Sequence, residues 1–358
     1  MKMYRFQRII GASLILLSGA GLSWAADAPA GAEKPAPTAK SKKERPTYPT
    51  IGTIERLNPA FDQLIATDAK IEKLAEGFTW AEGPVWDVRH HQLLFSDVPK
   101  NIVYKWKEGE TYNIFLKPSG YTGSEPRGGE PGSNGLTMDP GGHLILCEHG
   151  DRRIARLEKD GSKTTLAEYY QARRFNSPND LVYNADGDLY FTDPPYGLVG
   201  MNNDPKKELL FSGVYRLKQN GELSLLISDL TFPNGIAFSP KGRTLYISVS
   251  DPARAIWMAY PVNDDGTVGK GRVFFDATSL TKDRKGLPDG MKIDRNGYLF
   301  ATGPGGVLVF SPEGVHLGTI NTGEPTANCA WGEDGTVLYI TANHYLCRIK
   351  TKTKGEGF

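Results

Sequence analysis

Six polar residues stand at the head of a recurring pattern: Glu82 in EGPVWD, Asn134 in NGLTMD, Asn179 in NDLVYN, Asn234 in NGIAFS, Asp289 in DGMKID and Asn328 in NCAWGE. Two are carboxylates, four are carboxamides, and none is Lys or Arg. Two carboxylates gathered in a partly dry site repel each other. A divalent cation removes that cost, since the charges then sum to zero and the amide oxygens serve as neutral ligands. All-oxygen ligation suits a hard ion. Ca²⁺ takes about 6 to 8 oxygens, so three or four protein ligands leave positions for water or substrate. Zinc favours His or Cys, and neither is among the six. The expected ion is therefore Ca²⁺, with Zn²⁺ and Mg²⁺ as alternatives. A single Asn-Gly or Asp-Gly is an ordinary turn dipeptide; the signal is the phase shared by all six, with Glu82 in a slot otherwise held by Asn or Asp.

That phase implies a repeat. The six residues are spaced 52, 45, 55, 55 and 39 apart. Most of the patterns run into a turn such as DPGGH, NADGD, SPKGR, DRNGY or GEDGT. A second apolar strand begins ten to twelve residues after the polar residue, as LLFSD, LILCE, LYFTD, LYISV, LFATG and LYITA. A third stretch follows: IVYKW, IARLE, GVYRL, AIWMA, VLVF and LCRI. Short alternating strands joined by tight turns are hairpin chemistry. Several such strands in a 40- to 55-residue repeat make a propeller blade, which cannot bury its two faces alone. The expected fold is all-β, a six-bladed β-propeller with a central metal site. The apolar strand from Lys70 to Ala75 is placed to complete the last blade. The six polar side chains then converge where the innermost strands begin, at one mouth of the central channel.

Composition agrees with this architecture. The chain has 358 residues, 41 Gly and 24 Pro, a punctuation that suits many short strands. A net charge of +1 gives no electrostatic case for a nucleic-acid partner. Residues 1–26 read as a secretory signal peptide, with Lys2, Arg5 and Arg8 before the apolar run Ile9 to Leu22 and small residues at Ser23, Ala25 and Ala26. That run is shorter than the ~20 residues a spanning helix needs. The expected location is periplasmic or secreted, with no membrane span after processing. Residues 27–50, rich in Ala, Pro and Lys, read as a disordered linker, and 51–358 as a single propeller domain. Cys147, Cys329 and Cys347 can form at most one pair, and no CxxC spacing points to zinc.

Two loops stand near the mouth. Pro118 to Ser133 is long, Gly-rich and leads directly into Asn134, carrying Arg127. Asp193-Pro194-Pro195-Tyr196-Gly197 is a stiff turn that presents Tyr196. His149 follows the second strand of its blade and so can face the channel. No Gly-x-Ser-x-Gly elbow is present, which leaves Ser/His/Asp acyl chemistry without a home.

EGPVWD, NSPNDLVYNADGDLYFTDPPYG, FPNGIAFSP and LPDGMKIDRNGYLFAT together resemble the gluconolactonase family, over about residues 70 to 350. That family includes senescence marker protein (regucalcin) and is related to the squid-type phosphotriesterase propellers. The resemblance implies a catalytic divalent cation and hydrolysis of sugar lactones. By its motifs, Glu82, Asn234 and Asp289 are metal ligands, and Asn179 is a further ligand or a substrate contact. Asp289 also matches the proposed proton acceptor. Asn134, Asn179, Arg127, His149 and Tyr196 are the expected substrate contacts. Ser177 stands where regucalcin-like members carry a sugar-binding Arg. The expected function is metal-assisted opening of sugar lactones. The alternatives are an aryl esterase or phosphotriesterase on the same site, or a non-enzymatic propeller binding carbohydrate or protein around a structural Ca²⁺. The expected partner is a small-molecule lactone or ester, and the oligomeric state is left open.

Overall fold

The computed structural model describes residues 46–358; the expected signal peptide and most of the expected linker lie outside the described residues. Among the described residues six antiparallel blade sheets follow one another along the chain, with a seventh, two-stranded sheet of Tyr169–Tyr170 and Arg173–Arg174 between blades 2 and 3. Blade 1 comprises Ala81–Asp87, Gln92–Asp97, Ile102–Trp106 and Asn113–Leu116. Blade 2 comprises Ser133–Met138, Leu144–Glu148, Arg153–Leu157 and Lys163–Ala167. Blade 3 comprises Leu181–Tyr183, Leu189–Asp193, Gly213–Leu217 and Leu223–Ile227, and blade 4 Pro233–Phe238, Thr244–Asp251, Arg254–Pro261 and Arg272–Asp276. Blade 5 comprises Met291–Ile293, Leu299–Gly303, Gly306–Phe310 and His316–Asn321. Blade 6 comprises Asn328–Gly332, Val337–Ala342 and Tyr345–Lys350. Among the described residues the helical segments are short 3₁₀ turns.

Blade 6 takes its fourth strand from the other end of the chain. Ile71–Glu76 pairs antiparallel with Tyr345–Lys350, as expected for the strand over Lys70–Ala75. Thr50–Ile51 extends the same sheet and Thr53–Arg56 extends blade 5. The propeller begins before residue 51, because Tyr48 already packs on Trp106 with centroids 6.3 Å apart. The end of the expected linker is thus part of the fold. Trp86 of blade 1 stacks on Tyr339 of blade 6, centroids 5.5 Å apart and planes 12° apart, across the closure.

The core follows from this layout. Among the described residues the buried apolar side chains form six clusters, one between each pair of neighbouring blades. Second strands such as Gln92–Asp97, Leu189–Asp193 and Val337–Ala342 are buried along their whole length. A strand covered on both faces has no polar face to show, which is why LLF, LIL and LYF read as continuous apolar runs. The outer strand Asn113–Leu116 keeps two exposed residues. All three cysteines are buried and unpaired.

Polar stitches register the blades near the axis. The second strands share a small residue at one position: Ser96, Cys147, Thr192, Ser248, Thr302 and Thr341. Ser96 donates to the Asn134 carbonyl of the next blade at 2.9 Å, Thr192 to the Asn234 carbonyl at 2.6 Å, and Thr302 to the Ala327 carbonyl at 2.7 Å. The glycines that follow the ring residues have a related task. A Cβ at Gly83 would lie 2.0 Å from the Asn134 carbonyl oxygen, and one at Gly235 2.2 Å from that of Asp289. At Gly135 the obstruction is the Asn179 carbonyl, and at Gly290 the Asn328 carboxamide. Glu82-Gly83, Asn134-Gly135 and Asn234-Gly235 lie inside strands, not turns. Their glycines let one blade's ring residue approach the next.

Gly235→Ala should therefore cost about 1–3 kcal/mol through overpacking against backbone. Gly128→Ala, where nothing lies within 4 Å, should be neutral. Thermal melting of the two variants checks this; equal melting would refute the close-approach account.

Candidate active site

The six ring residues meet at the axis as the repeat phase requires. Glu82, Asn134, Asn179, Asn234 and Asn328 are all buried, and Asp289 is partly buried. Asp180, beside Asn179, is buried with them. Two of the first-strand starts are held from behind by a carboxylate. Asp97 accepts N–H bonds from Thr79 at 3.0 Å and Trp80 at 3.3 Å, just ahead of Glu82. The equivalent Asp193 accepts from Asn176 at 2.8 Å and Ser177 at 2.7 Å, just ahead of Asn179. Asn328 Oδ1 accepts from the Cys329 N–H at 2.9 Å, as Glu82 Oε2 does from Gly83 at 2.8 Å.

Asn234 shows how a ligand oxygen is aimed. Its Nδ2 donates to Ser250 Oγ at 3.0 Å, and that hydroxyl in turn donates to the Pro288 carbonyl. With its amide nitrogen engaged, the carboxamide keeps its oxygen free. Asp289 lies beside it, and its Oδ1 is buried with no hydrogen-bond partner.

The electrostatics are those of carboxylates short of a cation. Burial pushes the Glu82 carboxyl up to about 8; the charges of Asp180 and Glu130 act the same way, against the Gly83 N–H and the Asn328 amide. Burial raises Asp289 well above the usual range, and Glu82, Asp180 and Glu130 add to it. Burial raises Asp180 too, opposed chiefly by the charge of Lys292 on the blade 5 inner strand. Among the described residues no three His, Cys, Asp or Glu side chains group as a metal site. A cation here would need the carboxamides. The donor set is two ring carboxylates with carboxamide oxygens, and the orphaned Asp289 Oδ1 and the raised carboxyls fit a hard divalent ion.

The two loops form walls above the ring. Arg127 turns to backbone: Nη1 donates to the Gly150 carbonyl at 2.9 Å and Nη2 to that of Gly197, with the guanidinium over the Tyr121 ring. It joins the loop over 118–133 to the turn over 193–197. Tyr196 stacks on Phe232, centroids 5.8 Å apart, with its phenol beside Ser250 and Asn234, and burial pushes that phenol up. His149 is fully buried. Its Nδ1 lies 3.2 Å from Glu130 Oε2.

Residues 80–344 match the family described as SMP-30/Gluconolactonase/LRE-like region. The chain belongs to this gluconolactonase family. A gluconolactonase of Zymomonas mobilis is 40% identical over 325 residues, covering 89% of this chain and 91% of that protein. The structure of a gluconolactonase from Xanthomonas campestris aligns with a TM-score of 0.75 at 31% identity, over 87% of this chain and 99% of that one. The calcium-binding protein regucalcin of Agrobacterium tumefaciens shares the fold, with a TM-score of 0.64 at 20% identity over 79% of this chain and 94% of that one.

Within this gluconolactonase-family chain, Ser177 serves the scaffold. Its Oγ donates to the Pro194 carbonyl at 2.6 Å and accepts the Gly197 N–H at 2.8 Å. Four participants escaped the sequence reading: Asp180, Glu130, Lys292 and Ser250. Asp180 was visible as the second residue of NDLVYN, where four of the other five repeats carry Gly. Glu130 and Ser250 had no local signal, because folding alone brings them to the mouth, and Lys292 had none because folding alone sets its charge against Asp180 from further down the channel.

The raised carboxyls set a pH dependence for metal-free protein. Glu82 at about 8 and Asp193, pushed up to about 7 by burial, keep protons when folded that the unfolded chain releases near pH 4. Folding is favoured most below the unfolded values, and that stabilisation is lost as pH rises through about 7 to 8. Chelator-treated protein should melt progressively lower from pH 5 to pH 8.5, with a shallower slope in Glu82→Gln. A melting temperature that climbs over this range would contradict the assignment.

Proposed function

We propose that this chain is a divalent-cation-dependent lactonase acting on sugar lactones, with Ca²⁺ the ion its donors favour. The observation that carries the reading is the buried, unpartnered Asp289 Oδ1 beside Glu82 at the axis. Family membership and 40% identity to a gluconolactonase across nearly both whole chains support it. Glu82, Asn179, Asn234 and Asp289 would hold the cation, with Asn134 and Asn328 completing the ring. The bound ion would supply Lewis acidity at the lactone carbonyl and offset the developing oxyanion. Asp289 accepts the proton of the attacking water at a carboxylate oxygen. Asn179 and Asn134 orient the substrate, and Tyr196 walls the pocket over Asn234. The basic and apolar leader over 1–26 supports action outside the cytoplasm.

The test is a screen of lactones, aryl esters and phosphotriesters with and without chelator. Lactone turnover that chelation abolishes is expected; turnover of phosphotriesters alone would move the chemistry to the second substrate class. Two variants separate the residue roles. Asp289→Asn keeps shape and one oxygen, so kcat should fall about 10²- to 10⁴-fold even at saturating Ca²⁺. Glu82→Gln should weaken Ca²⁺ binding while excess Ca²⁺ restores most of the turnover. If saturating Ca²⁺ rescues Asp289→Asn as well, Asp289 is a ligand only.

A further inference from the structure

The long loop over 118–133 is fixed at both ends and in the middle. Asn101 Oδ1 accepts the N–H groups of Ser119 at 3.0 Å, Gly120 at 2.7 Å and Tyr121 at 3.1 Å. At the far end Gly132 donates to the Val98 carbonyl at 2.9 Å, and the Pro131 carbonyl accepts from Gly150 at 3.1 Å. Arg127 ties the middle to Gly150 and Gly197. Glu130, next to the pinned Pro131-Gly132, is thereby held in place with its side chain about one-third exposed, 32%.

What Glu130 meets is unusual. The His149 ring is wholly buried, and neither nitrogen has a well-aligned hydrogen-bond partner. The polar group its Nδ1 faces is the Glu130 carboxylate, at 3.2 Å. A Cβ on Gly197 would strike both His149 Cβ and Ser177 Cβ at 2.6 Å, so the Tyr196 turn is pressed onto the same imidazole. Glu130 stands four residues ahead of ring residue Asn134, in the loop whose Gly132 carbonyl accepts the His149 N–H at 3.1 Å, which sets it at the mouth; its charge acts on Glu82, Asp289 and Tyr196. A buried imidazole costs free energy unless it is satisfied. Spending one to aim a rim carboxylate at the ring is a construction for recognition.

The chemistry follows from the donors present. Arg127 and Ser177 are committed to backbone partners, so neither offers a cation or hydroxyl to a sugar. A carboxylate accepts two hydrogen bonds at once, the pattern presented by adjacent hydroxyls. It also repels a second negative charge. We propose that Glu130 contacts the substrate and selects neutral lactones bearing adjacent hydroxyls, and that His149 is a positioning residue that holds the Glu130 carboxylate over the ring. This rests on the lactonase reading and specifies its substrate class.

The test compares wild type with Glu130→Gln at saturating Ca²⁺ on three probes: glucono-δ-lactone, its phosphorylated analogue, and δ-valerolactone, which lacks hydroxyls. The variant should raise KM for glucono-δ-lactone about tenfold with kcat nearly unchanged, since a hydrogen bond to a charged partner is lost. KM for δ-valerolactone should stay constant, and the phosphorylated lactone should become a better substrate. Ca²⁺ affinity should fall only a few-fold, as expected for loss of a nearby charge that is not a ligand. In the Glu130→Gln background, adding His149→Asn should change KM for glucono-δ-lactone no further. Parallel changes on all three probes, or none, overturn the proposal, as does a hundredfold or greater fall in Ca²⁺ affinity, which would make Glu130 a ligand. Wild-type protein inactive on every lactone would refute the lactonase reading itself, and this proposal with it.

Discussion

Two ring carboxylates, Glu82 and Asp289, with Asp180 close enough to act on both, are withdrawn from water at the head of the channel, and the rest of the structure is arranged around that constraint. On top of the cost of burial, the charge of Asp180 raises the proton affinity of Glu82, and the charges of Glu82 and Asp180 raise that of Asp289. Lys292, three residues beyond Asp289 on the blade 5 inner strand, offsets the charge of Asp180. Ionised, the set is left with two uncompensated charges, the complement of a divalent cation. A buried charge without a partner is expensive, so a ring with no such use would be a standing cost to the fold.

The scaffold holds that arrangement without help from helices or disulfides. Each blade interface has its own apolar cluster, so rigidity is distributed around the circle. The Ser and Thr hydroxyls and the close-approach glycines act nearest the axis, where small displacements would matter most to ligand geometry. Further along the innermost strands the surface changes character. Val85, Leu136, Leu181, Ile236 and Ala330 line a cavity of about 750 Å³, with Lys292 among them. The inner strands thus change from ligands to apolar lining within a few residues, which restricts hard-ion chemistry to one end.

The fold was legible because propeller periodicity is written many times over. Six polar heads, six apolar second strands and the strand near Ile71 each repeat or complete the same unit, so one ambiguous blade does not mislead. The ring itself was legible for the same reason. Its glycines carried a message that turn statistics hide: Gly83 and Gly235 sit inside strands because the next blade's carbonyl fills the space of a Cβ. The site's surroundings were less legible. Ser250, Lys292 and Glu130 act on residues 16, 112 and 48 positions away, at Asn234, Asp180 and Glu82. Arg127 looked like a substrate contact by charge and loop position, yet its guanidinium is used on the Gly150 and Gly197 carbonyls. Which of two ends a long side chain reaches is decided by packing, and composition does not encode it.

The central claim is that the ring carboxylates give up protons to take a divalent cation. Calorimetric titration of Ca²⁺ into chelator-treated protein at pH 6.5, in two buffers of different ionisation enthalpy, counts those protons directly. With Glu82 pushed up to about 8 and Asp289 raised beside it, binding should release at least one proton, and fewer as pH approaches 9. Saturable binding whose apparent enthalpy is the same in both buffers, or no binding at all, would contradict the account.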